Sequence, residues 1–295
     1  MNDFKPMLSA TLLAPETLQF PLIVSPKLDG LRCVIRGGIA LSRNLKPFRN
    51  EHVQRVLKGL PDGLDGELIV GPPNTGHVLN RTQSGIMSTH GEPDFTYWVF
   101  DNYACEHGFV NRLRSLGRIE ESIREKFEIV DHTRVETLEG FFELEEEFLK
   151  DGYEGIMLRD IQGDYKHGRS TLNEGGLMKY KRFQDGEALV LEVAEGVHNE
   201  NELTYDALGR AKRSHHQANK VGSKRVGTII GKNILTGETM QISPGRMTQD
   251  QRIHYWEHKD QILGKMVKFK SFEYGKLNNS RFVTFQAFRD EADLG

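Results

Sequence analysis

Lys27-Leu28-Asp29-Gly30-Leu31-Arg32 places a primary amine, a carboxylate, a glycine and a guanidinium within six residues. A lysine amine attacks phosphorus only after losing its proton. At its ordinary pKa about one amine in ~2,500 is neutral at pH 7, a handicap of roughly 4.6 kcal/mol. A pocket that also holds Arg32, Lys179, Lys181 and a divalent cation would disfavour the ammonium form and lower that pKa. The same positive groups would stabilise charge developing on a phosphate. Magnesium needs oxygen ligands together with phosphate and water, and Asp65, Glu67 and Glu154 are the available acids. Asp65 and Glu67 are two residues apart in a strand-like run, so both point to one face and suit a shared cation or a ribose hydroxyl.

The elements that must carry these residues follow from the apolar pattern. Leu22-Ile23-Val24 leads into the lysine, and Leu31 to Ile35, Gly37-Gly38 and Ile39-Ala40-Leu41 read as a β-hairpin. Lys27 is then expected on a short loop at a sheet edge, with Gly30 letting a phosphate or base approach the backbone. Further strands are expected over 64–70, 95–101, 153–159 and 177–183, and helices over 52–57, 112–127 and 135–150. The acid run Glu143, Glu145, Glu146, Glu147 reads as a solvated helix face. Arg81-Thr82-Gln83-Ser84-Gly85 reads as a polar loop that touches a phosphate backbone, and 165–170 as a basic loop.

Beyond Phe183 the texture changes. Gln184-Asp185-Gly186 is a turn, and it suggests a first domain over 1–184 and a second over 185–295. Five short strands, over 188–193, 226–230, 240–242, 265–272 and 281–288, suggest a small barrel of the OB type, with a helix over 249–259. A basic segment over 198–225 interrupts it and lacks a core pattern. Seven basic residues and no acidic ones fall between Ala207 and Lys232, although the whole chain carries a net charge of -3. A segregated pattern puts a basic surface on a nearly neutral protein.

The 295 residues with 37% hydrophobic content suffice for one large domain or two smaller ones. The chain shows no apolar run of membrane-spanning length, no secretion signal and no phosphate loop of the P-loop type. Cys33 and Cys105 have neither zinc nor disulfide-framework spacing. A protein of the cytoplasm, or of the host-cell interior if virus-encoded, is expected.

Five signals occur in order: Lys27 to Arg32, Asp65-Gly66-Glu67, Tyr97 to Asp101, Glu154-Gly155 and Lys179-Tyr180-Lys181. Together they resemble the nucleotidyltransferase superfamily of ATP-dependent DNA ligases, RNA ligases and mRNA capping enzymes. The tail, Gly264 to Lys270 and then Phe288-Arg289-Asp290-Glu291, narrows the resemblance to minimal virus-type ATP-dependent DNA ligases.

That resemblance implies an α+β fold: a nucleotidyltransferase domain of antiparallel sheets and flanking helices, followed by an OB-fold barrel. It implies a nick-sealing enzyme that uses ATP, carries AMP covalently on Lys27 and needs Mg2+ or Mn2+. By resemblance, Ser25 lines the adenine pocket, Phe100 stacks on adenine and Glu67 contacts the ribose. Lys179 and Lys181 contact the α-phosphate. Arg32 and Arg43 lie near the AMP or the nick phosphate. Asp29, Glu67 and Glu154 are the metal-site acids. Nicked duplex DNA is the expected partner, bound by a monomer with no protein partner implied. Its contacts are Arg32, Arg43, Arg81, Thr82 and Arg169, and a basic latch of Arg210, Lys212, Arg213, Lys220, Lys224 and Arg225. One departure stands out: the family's closing Arg-x-Asp-Lys has Glu291 in place of its lysine. A capping guanylyltransferase, an RNA ligase and a catalytically silent nick-binding module are the rival readings.

Overall fold

Leu22–Pro26 is buried along its whole length, as a strand must be when it pairs on both sides and both faces are covered. The computed structural model that places it describes residues 4–120, 127–182, 184–206, 209, 211–214, 216–272 and 281–289. Phe183, Arg210 and Asp290-Glu291, all singled out above, lie outside the described residues, as does part of the stretch expected to be helical over 112–127. The chain divides into two units, Met1–Lys181 and Arg182–Gly295.

The first unit opens with β1 (Ala10–Thr11), β2 (Leu22–Pro26), β3 (Leu31–Arg36) and β4 (Ile39–Ser42). Gly37 and Gly38 have φ of 60° and 69°, the left-handed pair that a two-residue hairpin turn requires. There follow α1 (Glu51–Leu57), β5 (Leu64–Val70), α2 (Val78–Ile86), β6 (Phe95–Asn102) and α3 (Phe109–Glu120). β7 (Phe127–Ile129), β8 (Thr133–Val135), α4 (Leu138–Lys150), β9 (Ile156–Asp160) and β10 (Met178–Tyr180) complete the unit. Among the described residues these strands form two five-stranded sheets, β1-β10-β9-β2-β8 and β4-β3-β5-β6-β7. β2 and β3 therefore belong to different sheets, and Lys27 lies in the crossover between them rather than at the edge of one.

Each sheet buries one face against helices. Cys33, Ile35, Leu64, Leu68, Tyr97 and Val99 pack with Val53 and Leu57 of α1, Ile86 of α2 and Leu116 of α3. Leu22, Val24, Ile156, Leu158 and Met178 pack with Phe141 of α4. Side chains alternate along a strand, so Arg32, Glu67, Phe100, Met157 and Lys179 stand on the opposite faces. Helix starts follow from their caps: Asn50 accepts from the Val53 N–H and Thr137 from the Gly140 N–H.

Residues before Leu22 also build the core, since Phe4, Met7, Ala10 and Leu12 are buried and β1 pairs with β10. Two expectations change here. The polar run 81–85 is part of helix α2. On α4, Glu145 is buried while Glu143, Glu146 and Glu147 are exposed.

The second unit consists of β11 (Gln184–Asn199), β12 (Leu203–Tyr205), β13 (Ala211–Arg213), β14 (Lys220–Asn233), β15 (Thr239–Ile242), α5 (Gln249–Glu257), β16 (Met266–Phe272) and β17 (Arg281–Phe288). Its five-stranded sheet runs β15-β14-β11-β16-β17. Among the described residues the edge strands approach through one isolated bridge, Ser243 to Thr284, so there the OB-type sheet curls without closing into a full barrel. Val190, Val193, Val226, Ile229, Val267 and Phe285 fill its core. The basic segment lacks an apolar core, as its pattern indicates, but it is paired strand rather than loop: β11 and β14 stay paired out to Asn199 and Lys220, and β12 and β13 form a separate ribbon. Among the described residues no helix is long and apolar enough to cross a membrane.

Two glycines separate steric from conformational demand. A Cβ at Gly66 would lie 2.2 Å from the Trp98 carbonyl oxygen, whereas one at Gly38 meets nothing within 4 Å. Gly38→Ala should cost about 1–2 kcal/mol, the left-handed penalty alone, and Gly66→Ala should cost more, because β6 must move away from β5. Urea unfolding midpoints of the two variants check the order.

Candidate active site

The Lys27 crossover is pinned at both ends. The Lys27 N–H donates to the Gly155 carbonyl at 2.8 Å. Gly155 has φ of 151°, and a Cβ there would lie 2.5 Å from the Tyr180 carbonyl oxygen. A glycine after Glu154 is thus required where β9, β10 and the crossover converge. At the other end the Gly30 N–H donates to Glu67 at 2.8 Å. A Cβ on Gly30 would sit 2.6 Å from the Leu68 carbonyl oxygen and 2.7 Å from Ile69. Gly30 therefore serves close packing on β5, and it also lines the cavity described below.

The Glu154 carboxylate accepts from both the Lys27 and the Lys181 ammonium groups. The three side chains are only 6%, 17% and 12% exposed respectively, so none relies on bulk water for its charge. Burial would push the Glu154 pKa up, but Lys27 and Lys181 outweigh it and hold the carboxyl at about 2. Burial pushes the Lys27 amine down, but Glu154, Glu67 and Asp29 outweigh it and the pKa is raised. This reverses the expected direction: in the chain alone, the charges that act most strongly on this amine are acids. Lys179 is lowered, by burial and then by Lys27, Arg169 and Arg43. Glu67 is raised, chiefly by burial and against the pull of Lys27.

Asp65 has a different role from Glu67. It is fully buried and receives Arg32 through Nε at 2.5 Å and Nη2 at 2.6 Å, with the Tyr165 hydroxyl at 2.6 Å. Its oxygens are committed to fixing the guanidinium, and they are not available to a cation as the sequence allowed. The Arg32 guanidinium lies 4.6 Å from the Phe100 ring centroid, a cation–π contact.

Sequence reasoning missed a second buried network. Asp101 takes Arg112 at 2.7 Å and Arg159 at 2.7 Å, and Arg159 lies 5.7 Å from the Phe100 ring. The signal was present: Arg159 is two residues after Met157 on β9, hence on the face opposite Ile156 and Leu158.

A cavity of about 800 Å³ opens on those faces. Ser25, Lys27, Arg32, Arg43, Glu67, Phe100, Arg169 and Lys179 all line it, with Arg159 and Met157. Glu154 and Lys181 join through Lys27, and Asp29 is close enough to act on the charges of Lys27 and Glu67. Among the described residues no three His, Cys, Asp or Glu side chains gather into a metal-holding cluster.

Two expected DNA contacts in this unit do not reach the cavity. Thr82 is fully buried, and its hydroxyl accepts from the Val70 N–H at 3.1 Å. Thr82 is therefore not exposed for the DNA contact expected of it, and its side chain fastens α2 to β5. Arg81 donates to the carbonyls of Val70 and Pro72 and to the Thr75 hydroxyl, holding the turn after β5. In the second unit Lys212 and Lys224 are exposed and Lys220 half-buried. Arg213 donates to the Asn201 carbonyl and Arg225 to Gln249 at 2.8 Å.

Residues 6–181 match the family model of the ATP dependent DNA ligase domain. The DNA ligase of African swine fever virus is 28% identical over 191 residues, which cover 59% of this chain and 45% of that protein. The chain thus matches less than half the length of that relative. The solved Chlorella virus DNA ligase-adenylate is 31% identical and has a TM-score of 0.57, with 98% of this chain and 99% of that chain covered. A Lig E DNA ligase has a TM-score of 0.74 at 22% identity, with 97% and 99% covered, a likeness of fold.

The Glu154 carboxyl titrates below its ordinary 4.5. Its contribution to stability is therefore fully present above pH 4.5 and is lost as pH falls through about 2. That contribution is on the order of 3 kcal/mol. The stability difference between wild type and Glu154→Gln should shrink over this window, as followed by urea unfolding at stepped pH.

Proposed function

Because the chain belongs to the ATP-dependent DNA ligase family, we propose that it seals nicks between a 3′-hydroxyl and a 5′-phosphate in duplex DNA, using ATP and carrying AMP on Lys27. The observation that supports this most is the junction of Lys27, Glu154 and Lys181 beside a cavity that Phe100, Glu67 and Lys179 also border. An amine, an acid to hold it and a ring to stack a base on lie within one small space.

In the first step the Lys27 amine leaves Glu154, sheds its extra protons to solvent and forms a nitrogen–phosphorus bond with the α-phosphate. The bond from that phosphorus to the bridging oxygen breaks, and pyrophosphate departs with the electron pair. In the second step an oxygen of the nick's 5′-phosphate attacks the same phosphorus, the nitrogen–phosphorus bond breaks, and Lys27 regains its protons. In the third step the 3′-oxygen attacks the 5′-phosphate, loses its proton and releases AMP. Phe100 and Ser25 hold the base, Glu67 accepts from the ribose, and Lys179 stabilises charge on the α-phosphate. Arg32, fixed by Asp65, and Arg43 and Arg169 at the opening attract the nick phosphate.

The donor set fits a divalent cation of the magnesium class. Glu67 is a hard oxygen donor at the cavity, and Glu154 would become one once Lys27 leaves it; such a cation is commonly held by one or two carboxylates with substrate phosphates and water. Asp29 stands near Glu67 and Lys27. When bound, Mg2+ or Mn2+ would neutralise charge on the triphosphate. In the second unit Lys212, Lys220 and Lys224 supply positive charge for the duplex backbone. The protein acts within a cell, as a monomer.

Incubation with magnesium and α-phosphate-labelled ATP should leave label on the denatured wild-type chain and none on Lys27→Ala. Label from GTP alone would instead indicate a capping guanylyltransferase, and label from neither a binding module.

A further inference from the structure

The cavity has two unlike sides. Ser25, Phe100, Val130 and Met157 form an inner wall suited to a base. The outer rim includes Arg43, Lys46 and Arg49, all exposed and all from the eight residues that join β4 to α1. At about 800 Å³ the space is toward the upper end of the ~300–1,000 Å³ usual for small-ligand pockets. We infer that this rim is a second phosphate-binding edge, and that Lys46 and Arg49 hold backbone phosphates of the nicked strand beside the adenylate. The inference rests on the nick-sealing reading and adds residues that the sequence motifs do not contain.

The charge balance carries the argument. Four inner cations have acids: Lys27 and Lys181 share Glu154, Arg32 has Asp65 and Arg159 has Asp101. The Lys46 and Arg49 side chains make no ion pair or hydrogen bond among the described residues. Uncompensated cations at the mouth of a cavity that expects an anionic polymer provide the sequence-independent part of its binding.

The loop is also built to hold those cations in place. The Ser42 N–H donates to the Lys46 carbonyl and the Leu45 N–H to the Ser42 carbonyl, both at 2.8 Å. Leu41 bridges to Pro47. Leu45 takes φ of 55°, a left-handed conformation uncommon for such a side chain. Phe48 is buried, and the Gln54 amide donates to the Ala40 and Phe48 carbonyls at 2.9 and 3.0 Å. Asn50 caps α1 and donates to the carbonyls of Ser88 and Gly91. A pinned backbone presents Lys46 and Arg49 with less ordering left to do on binding.

The test uses the full chain, first loaded with AMP from ATP, and a nicked duplex bearing a 5′-phosphate. Lys46→Ala/Arg49→Ala should take label from ATP as wild type does, within about twofold. Its affinity for the nick should fall at least tenfold at low salt. The slope of log K against log[salt] should become shallower by about 1.8, since each lost phosphate contact removes roughly 0.9. Lys46→Arg/Arg49→Lys should restore both. Unchanged affinity and slope overturn the inference, as does a variant that loses labelling while binding the nick normally, which would assign these cations to ATP. A wild-type chain that takes no label from ATP overturns the nick-sealing reading itself, and with it this inference.

Discussion

Two ammonium groups from separate parts of the first unit converge on one carboxylate. Each of the three side chains is mostly removed from water, and an isolated buried charge costs several kcal/mol. Glu154 is therefore as dependent on Lys27 and Lys181 as they are on it. Its position follows from strand pairing: β9 begins just after it, pairs with β2 on one side and β10 on the other, and so brings the ends of all three together. The Lys27 N–H on the Gly155 carbonyl fixes the backbone from which the amine projects. A consequence for the chemistry follows. Lys27 is an ammonium in the chain alone, so the proposed adenylation begins by undoing an ion pair.

Around that junction the two sheets divide labour by side-chain parity. On β3, β5 and β6 one set of residues fills the core against helices, and the alternate set meets the cavity. Four acids on or next to these sheets are sorted by their partners. Asp65 and Asp101 are buried and hold arginines. Glu67 and Glu154 face the reactive amine, and their pKa values are pushed in opposite directions, up for Glu67 and down for Glu154. Environments that separate the behaviour of neighbouring carboxylates are typical of reactive sites.

Much of this was legible in the chain. The turn at Gly37-Gly38, the alternation in 64–70 and 95–101 and the ordered motifs lead to the observed strands and to most of the cavity lining. What was not legible has physical reasons. Membership of β2 and β3 in different sheets is a long-range pairing choice, and local pattern contains no record of it. Helix α2 hid because one of its three inward residues is Thr82, between Val78 and Ile86; a hydroxyl satisfied by the Val70 N–H behaves as core while reading as polar. The outer part of the long β11–β14 pair was not legible as strand because its apolar side chains, Val197 and Val221, are exposed and no buried face imposes alternation. The pKa direction of Lys27 was misjudged because the sequence counts charges and does not measure which ones are near.

The central claim is that Glu154 keeps Lys27 protonated until substrate arrives. Nuclear magnetic resonance of the full chain with 15N-labelled lysine, assigned by Lys27→Arg, follows that ammonium through a pH titration. In wild type it should persist above pH 10.5, the ordinary value from which the Lys27 pKa is raised, and in Glu154→Gln it should titrate at lower pH. A Lys27 that titrates below 10.5 in the unliganded wild type, or that is indifferent to the loss of Glu154, would contradict the account.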